Sequence, residues 1–295
     1  MKKCKFKLLS LVFIPFILLG CGNSKSEDRS TKDKIQVEVS INPLKEFAEK
    51  IGGDKVSVSC FVPDNVEPHD YELKTRDFES LVDKDLFVYN GLGMEEWLED
   101  VKKQMSSSNI KYVNASENVD IREEDGKQDP HVWLSIKESI KQCEEIKKSL
   151  QEIDPSNNDY YEQNYNNYKK ELDDLYETYS KKFNDLTNKS FVTSHEAFGY
   201  LCREFGLKQQ YLNDMFGEGE LTPKKYQELA DYCKKNNINT IFSEGSESSK
   251  EAETLAKEIN GQVKSINTLE TKVEGKEYIQ VMKENYDTIY EALKN

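Results

Sequence analysis

A chain of 295 residues is long enough for two domains of roughly 100–150 residues each. Its 33% charged and 36% hydrophobic content describes a solvated globule rather than a membrane-embedded protein. The formal net charge is −14, and once the four lysines of the first 20 residues are set aside, 37 basic side chains stand against 55 acidic ones. That balance offers no basic patch to neutralise phosphates, which argues against nucleic acid as a partner and fits a cation better.

Lys2, Lys3, Lys5 and Lys7, followed by the apolar run from Leu8 to Leu19, read as a signal peptide over residues 1–20, too short and too abruptly ended to span a membrane. Leu18-Leu19-Gly20-Cys21 resembles the bacterial lipoprotein box, in which Cys21 becomes the lipidated first residue. The other reading is an ordinary secretory signal with an incidental cysteine. Residues 21–34 are polar and lack apolar periodicity, so they are expected to form a flexible tether. The mature protein is then expected outside the cytoplasmic membrane and lipid-anchored to it. Of its other cysteines, Cys60, Cys143, Cys202 and Cys233, no two have C-x-x-C spacing. Cys202 and Cys233 could pair in that compartment, with buried free thiols as the alternative.

In chain order, Ile35–Ile41 alternates as a strand, and Pro43 opens a helix to Ile51 that Gly52-Gly53 stops. Val56–Val62 is a second strand, Thr75–Val82 a short helix, Leu86–Tyr89 a third strand, Glu95–Gln104 a helix, and Lys111–Val113 a fourth strand. An acidic loop, Ser116–Gln128, follows. From Asp154-Pro155 the apolar positions Tyr161, Tyr165, Tyr168, Leu172, Leu175, Tyr179, Phe183 and Leu186 recur in steps of three and four. That spacing predicts one helix of about 33 residues, roughly 50 Å long, which serves best as a strut between two lobes. The second half alternates again: a strand at Phe191–Ser194, a helix at Phe198–Phe205, and a strand at Lys208–Leu212. A helix from Thr222-Pro223 to Asn236, a strand at Thr240–Phe242, a helix at Lys250–Asn260, a strand at Gln262–Ile266 and a helix at Tyr278–Lys294 complete it. The expected fold class is α/β, with two lobes, each a parallel sheet flanked by helices, joined by one long backbone helix. The lobes are placed at 35–153 and 188–295, with the connecting helix at 154–187. A ligand would sit in the cleft between them, at the carboxyl ends of the strands.

The chain has three histidines, His69, His131 and His195, separated by 62 and 64 residues, each where a strand or loop gives way to a helical pattern. Such sparing use suggests one shared site; the alternative is three unrelated surface or core rings.

The motifs Pro68-His69-Asp70-Tyr71-Glu72, Asn90-Gly91-Leu92-Gly93 and Glu96-Trp97-Leu98 are joined by Asp129-Pro130-His131-Val132-Trp133-Leu134. Ser194-His195-Glu196-Ala197-Phe198-Gly199-Tyr200 and Ile241-Phe242-Ser243-Glu244 complete the set. Together, over about residues 35–294, they resemble the zinc- and manganese-binding solute receptors of bacterial ABC importers, often called cluster A-I. The resemblance implies a monomeric lipoprotein that binds zinc as cargo and delivers it to a membrane permease driven by a cytoplasmic ATPase. It makes His69, His131 and His195 metal ligands, with Glu270 as the expected fourth. Glu244 or water is the alternative, and Glu244 could instead support a ligand. Asp129, Glu196 and Asp70, beside ligands in sequence, are candidates to receive the second ring N–H that a metal-bound histidine donates. Relatives often carry a histidine-rich loop before the second ligand; Ser116–Gln128 holds acids and no histidine, so no metal-collecting role is expected of it.

Three imidazoles and a carboxylate favour zinc, with a manganese receptor of the same family as the alternative. The competing class is a zinc hydrolase with an open metal position, for which neither H-E-x-x-H nor a nucleophile elbow is present. An additional adhesin role stays open. With reference pKa values near about 6.5, proton competition at the rings is expected to weaken binding below about pH 6.

Overall fold

The computed structural model describes residues 34–124, 126–216, 222–244 and 250–294. The signal peptide, Cys21 and the tether up to residue 33 lie outside the described residues. From residue 34 onward the described chain packs as one compact unit.

The first half is built on β1 (Ile35–Val39), α1 (Asn42–Gly52), β2 (Val56–Cys60), β3 (Leu86–Tyr89), α2 (Leu98–Gln104) and β4 (Lys111–Asn114). The strands form a wholly parallel sheet in the order β2-β1-β3-β4. Pro43 sits at the start of α1, where its missing N–H costs nothing. Gly53 ends that helix at φ 53°, and a Cβ there would strike the Tyr160 hydroxyl. Thr75–Leu81, expected as a short helix, forms 3-10 turns, and α2 begins three residues later than the sequence pattern suggests. In the acidic loop, β5 (Glu123–Glu124) and β6 (Lys127–Gln128) pair as a small antiparallel hairpin.

An element that the sequence reading does not include follows: α3 (Ile136–Ile153), started by the Ser135 hydroxyl accepting the Glu138 N–H. Its inward face carries Ile136, Cys143, Ile146 and Leu150, but the buried Glu138, Ser139, Gln142 and Lys147 interleave with them and blur the apolar period.

The strut is α4 (Asn158–Asn184), 27 residues, or about 40 Å at the usual rise. It is shorter than the predicted span because residues Pro155–Asn157 form a 3-10 turn and the helix ends at Asn184. The Asp154 carboxylate takes bonds from Ser156, Asn157 and the Tyr161 hydroxyl, holding that turn off the helix axis. The buried face runs Tyr161, Tyr165, Tyr168, Leu172, Leu175, Tyr179 and Phe183, as the periodicity predicts.

The second half runs β7 (Ser190–His195), α5 (Gly199–Phe205), β8 (Lys208–Asn213), α6 (Pro223–Lys235), β9 (Thr240–Glu244), α7 (Lys250–Glu258), β10 (Gln262–Ile266) and α8 (Tyr278–Leu293). Its sheet is again all parallel, in the order β10-β9-β7-β8. Parallel strands put all their carboxyl ends on one edge, and the loops leaving those ends carry the chemistry. Cys60, Cys143, Cys202 and Cys233 are all free thiols.

The N-terminal part of α4 rests on α1, through Asn164 to the Ile51 carbonyl and Tyr168 to Glu46. The C-terminal part packs Tyr179 against Tyr286 and Phe183 against Phe205, each pair tilted, and Tyr179 donates to Asp287. One apolar core, from Val37 to Leu293, therefore runs through both halves. A helix packed along its length at both ends is a poor hinge, so small tilts and loop shifts should accompany ligand binding rather than wide closure. Small-angle scattering should find the radius of gyration of metal-free and metal-loaded protein within about 1 Å; a large compaction would contradict the strut.

Candidate metal centre

His69 lies in the loop after β2. Turns closed by Asp70 N–H to the Glu67 carbonyl and Tyr71 N–H to the Pro68 carbonyl hold it, and buried Tyr71 packs on Phe61 and Trp97. His131 follows Pro130, whose carbonyl accepts from Asn90 at the end of β3 (2.8 Å). Asp129 takes both the His131 backbone N–H (3.0 Å) and its Nδ1 (2.9 Å) on one carboxylate oxygen. The imidazole and that carboxylate are fully buried.

His195 ends β7. Its Nδ1 lies 3.2 Å from Glu244 Oε2, at the end of the neighbouring β9, and its Nε2 lies 2.9 Å from the Met215 carbonyl. Glu270 follows β10 on a loop that Leu269 turns with a left-handed φ of 64°, held by its N–H donating to Asn267 Oδ1. Glu270 Oε1 stands 3.1 Å from His69 Nε2 and 3.0 Å from His131 Nε2, and those two nitrogens are 3.3 Å apart. With His195, one donor atom from each of the four residues falls within 4.8 Å of all the others.

The remaining candidates separate by position. Glu244 touches His195 and stands outside the four-residue cluster, and Asp129 touches His131. Glu196 bonds to Arg122 at 3.2 Å, and Asp70 is exposed. Arg122 is the residue that sequence reasoning misses. It lies in the acidic loop and reaches Asp129 at 2.7 Å, Glu124 at 2.7 Å and Glu196 at 3.2 Å. A Cβ on Gly199 would meet its guanidinium, so the glycine keeps that space open. An arginine among the acids of Ser116–Gln128 was the available signal.

Burial alone would push a histidine towards neutrality. At His131 it is outweighed by bonds to Asp129 and Glu270, which raise the pKa to about 10. At His195 burial is likewise outweighed, by Glu244, giving about 9. Both nitrogens of each ring face acceptors, so in this arrangement each ring carries two protons. Burial would raise Glu270, but the bonds from His131 and His69 hold it well below the usual carboxylate range. Glu67 moves the other way, up to about 8, through burial and the nearby Glu270 charge.

Residues 37–292 match the family described as zinc-uptake complex component A, periplasmic (ZnuA). The chain belongs to that family. It is 36% identical over 312 residues to the high-affinity zinc uptake system protein ZnuA of Bacillus subtilis, a match covering 98% of this chain and 98% of that protein. It is 32% identical over 305 residues to the zinc-binding lipoprotein AdcA of Streptococcus pneumoniae, covering 97% of this chain and 60% of that one. Among solved structures, the laminin binding protein of Streptococcus agalactiae superposes with a TM-score of 0.83 at 30% identity, covering 88% of this chain and 100% of that one. That protein is described as bifunctional, with adhesin and metal transporting activity.

Asp129 fixes the orientation of His131 by accepting from both its backbone N–H and its Nδ1. Asp129→Asn keeps the shape but removes the charge, and should lower zinc affinity about 10–100-fold in a chelator competition assay. Glu196→Gln, which reaches His131 only through Arg122 and Asp129, should change it by less than about threefold.

Proposed function

We propose that His69, His131, His195 and Glu270 bind Zn²⁺ as cargo, and that the protein captures the ion outside the cytoplasmic membrane and delivers it to the permease of an ABC importer. The observation that carries this reading is the convergence of three imidazoles and one carboxylate within 4.8 Å, drawn from loops of both sheets. Zinc–nitrogen bonds of about 2.0–2.1 Å in a tetrahedron place neighbouring donors about 3.3 Å apart. The spacings of 3.0, 3.1 and 3.3 Å among Glu270, His131 and His69 suit one face of such a tetrahedron.

Four protein donors leave no open position for a catalytic water, which favours a carrier over an enzyme. Lipid on Cys21 would hold the monomeric protein at the membrane, in keeping with the relative named a lipoprotein. The lobes then correspond to residues 35–153 and 188–295, with 154–187 as the connecting segment.

Three nitrogens and one oxygen suit zinc, whereas manganese prefers oxygen-rich shells of higher coordination. Competition titration of metal-free protein should therefore rank zinc above manganese by orders of magnitude, and His195→Glu should narrow the gap by exchanging a nitrogen for an oxygen. Manganese displacing equimolar zinc from the wild type would overturn the choice of cargo.

Metal takes a ring lone pair, so zinc must displace one proton from each doubly protonated ring. With His131 raised to about 10 and His195 to about 9, both protons are still in place at neutral pH. Affinity should therefore fall with every unit of pH below about 9, not only below pH 6 as the reference values suggest. Calorimetry at pH 7.5 in buffers of different ionisation enthalpy should report about two protons released per zinc. The same raised values set the stability of the metal-free protein. The charged rings stabilise the fold fully below the unfolded-state value near about 6.5, and that contribution is lost as pH rises through 9 to 10.

A further inference from the structure

A cavity of about 310 Å³ reaches His69, lined also by Asp70, Met94, Glu96, Lys127 and Phe216. The exposed carboxylates of Asp70 and Glu96 suit an approaching cation. Two of the other residues do the opposite. The Phe216 ring stands nearly perpendicular to the His69 ring, with centroids 5.5 Å apart. Lys127 Nζ lies 4.8 Å from the centre of the Phe216 ring. An aromatic ring offers zinc no donor of use, and an ammonium repels it. Neither residue belongs to the donor cluster, yet both line the cavity that reaches His69.

The two residues come from opposite halves of the fold. Phe216 follows β8, where its N–H donates to Asp214 and the preceding Met215 carbonyl faces His195 Nε2. Lys127 belongs to the β5–β6 hairpin, which precedes His131. The ring is thus placed from the second half of the chain and pinned from the hairpin of the first.

We propose that Phe216, pinned by Lys127, is a lid on the His69 side of the metal centre that sets how fast zinc enters and leaves without setting how tightly it is held. The proposal rests on the zinc-carrier reading. The lid meets His69 through an uncharged ring with no donor for the ion, so a lid that closes over loaded and empty protein alike scales association and release together. The cation–π contact with Lys127 biases the lid towards closure. An ion-carrying site that must hold its cargo until it reaches the permease gains from a slow exit that costs no affinity.

Stopped-flow zinc binding and chelator-driven release on the intact mature chain test this. Phe216→Ala should speed both processes about five- to tenfold while leaving Kd within about threefold. Phe216→Leu, which keeps bulk but loses the ring face for Lys127, should show a smaller gain. Lys127→Glu should speed association further, with the excess shrinking as ionic strength rises. Unchanged rates in Phe216→Ala overturn the lid, as does a gain confined to release, which would make Phe216 a binding residue. A wild-type protein that binds no zinc sinks the carrier reading instead, so the two failures are distinguishable. The retained Kd serves as the control for folding.

Discussion

One carboxylate oxygen, Glu270 Oε1, sits between two imidazole nitrogens that belong to the other sheet, and the rest of the site is arranged to keep it there. The loop that carries Glu270 leaves β10 but is fastened mainly to the first half of the chain. Trp133 donates to the Thr268 carbonyl at 2.6 Å, and the Lys272 N–H and ammonium both bond to Asp64. Further along, Lys50 pairs with Glu277 and the Tyr278 N–H donates to Glu46. Its own half holds it through Asn285 of α8, which bonds Asn267 in both directions. By sequence Glu270 is a second-half residue, and by its bonds it is attached to the half that carries His69 and His131. The left-handed turn at Leu269 is the local strain this crossing requires.

Burying a carboxylate and three rings together is tolerable only because the charges compensate. Asp129 answers to His131 and Arg122, Glu244 to His195, and Glu270 to His69 and His131. An uncompensated buried carboxylate would simply keep its proton, the direction in which Glu67 is pushed. Protons on His131 and His195 supply two positive charges, the same charge that a zinc ion brings. Exchange of two protons for one dication leaves the buried charge unaltered, so binding needs no new electrostatic partner. This is also why pH, rather than salt, should be the main control on affinity.

Much of this was legible in the sequence. The α4 stripe from Tyr161 to Phe183, both parallel sheets and three histidines beside distinctive neighbours follow from period and composition, and the motif resemblance pointed to Glu270, which the structure brings beside His69 and His131. What stayed hidden depends on partners distant in sequence. Helix α3 has polar residues on its buried side because Glu138 meets Arg203 and Gln142 meets Asn90, and neither pairing leaves a periodic trace. The 3-10 turn before α4 depends on where one Asp154 carboxylate points. Arg122 looks like one more charge in an acidic loop until Asp129 and Glu196, 7 and 74 residues away, are brought to it.

The four proposed donors are not held alike, and the difference bears on how a carrier lets go. His69, His131 and Glu270 lie 3.0–3.3 Å apart, close to the spacing of zinc's own ligands, and the Glu270 loop is tied to the half that carries both rings. His195 is anchored on the other sheet, by Glu244 and by the Met215 carbonyl. Glu244 can keep its bond to Nδ1 whether or not metal is bound, since a metal-bound histidine still donates from its second nitrogen. The Met215 carbonyl cannot, because it competes with the metal for Nε2. Taking up zinc at His195 would therefore exchange the Nε2–H bond to that carbonyl for a coordinate bond, and release would reverse it. A site with three fixed donors and one that has an alternative partner can bind tightly and still open at a single residue, which a permease could exploit by drawing the His195 loop aside.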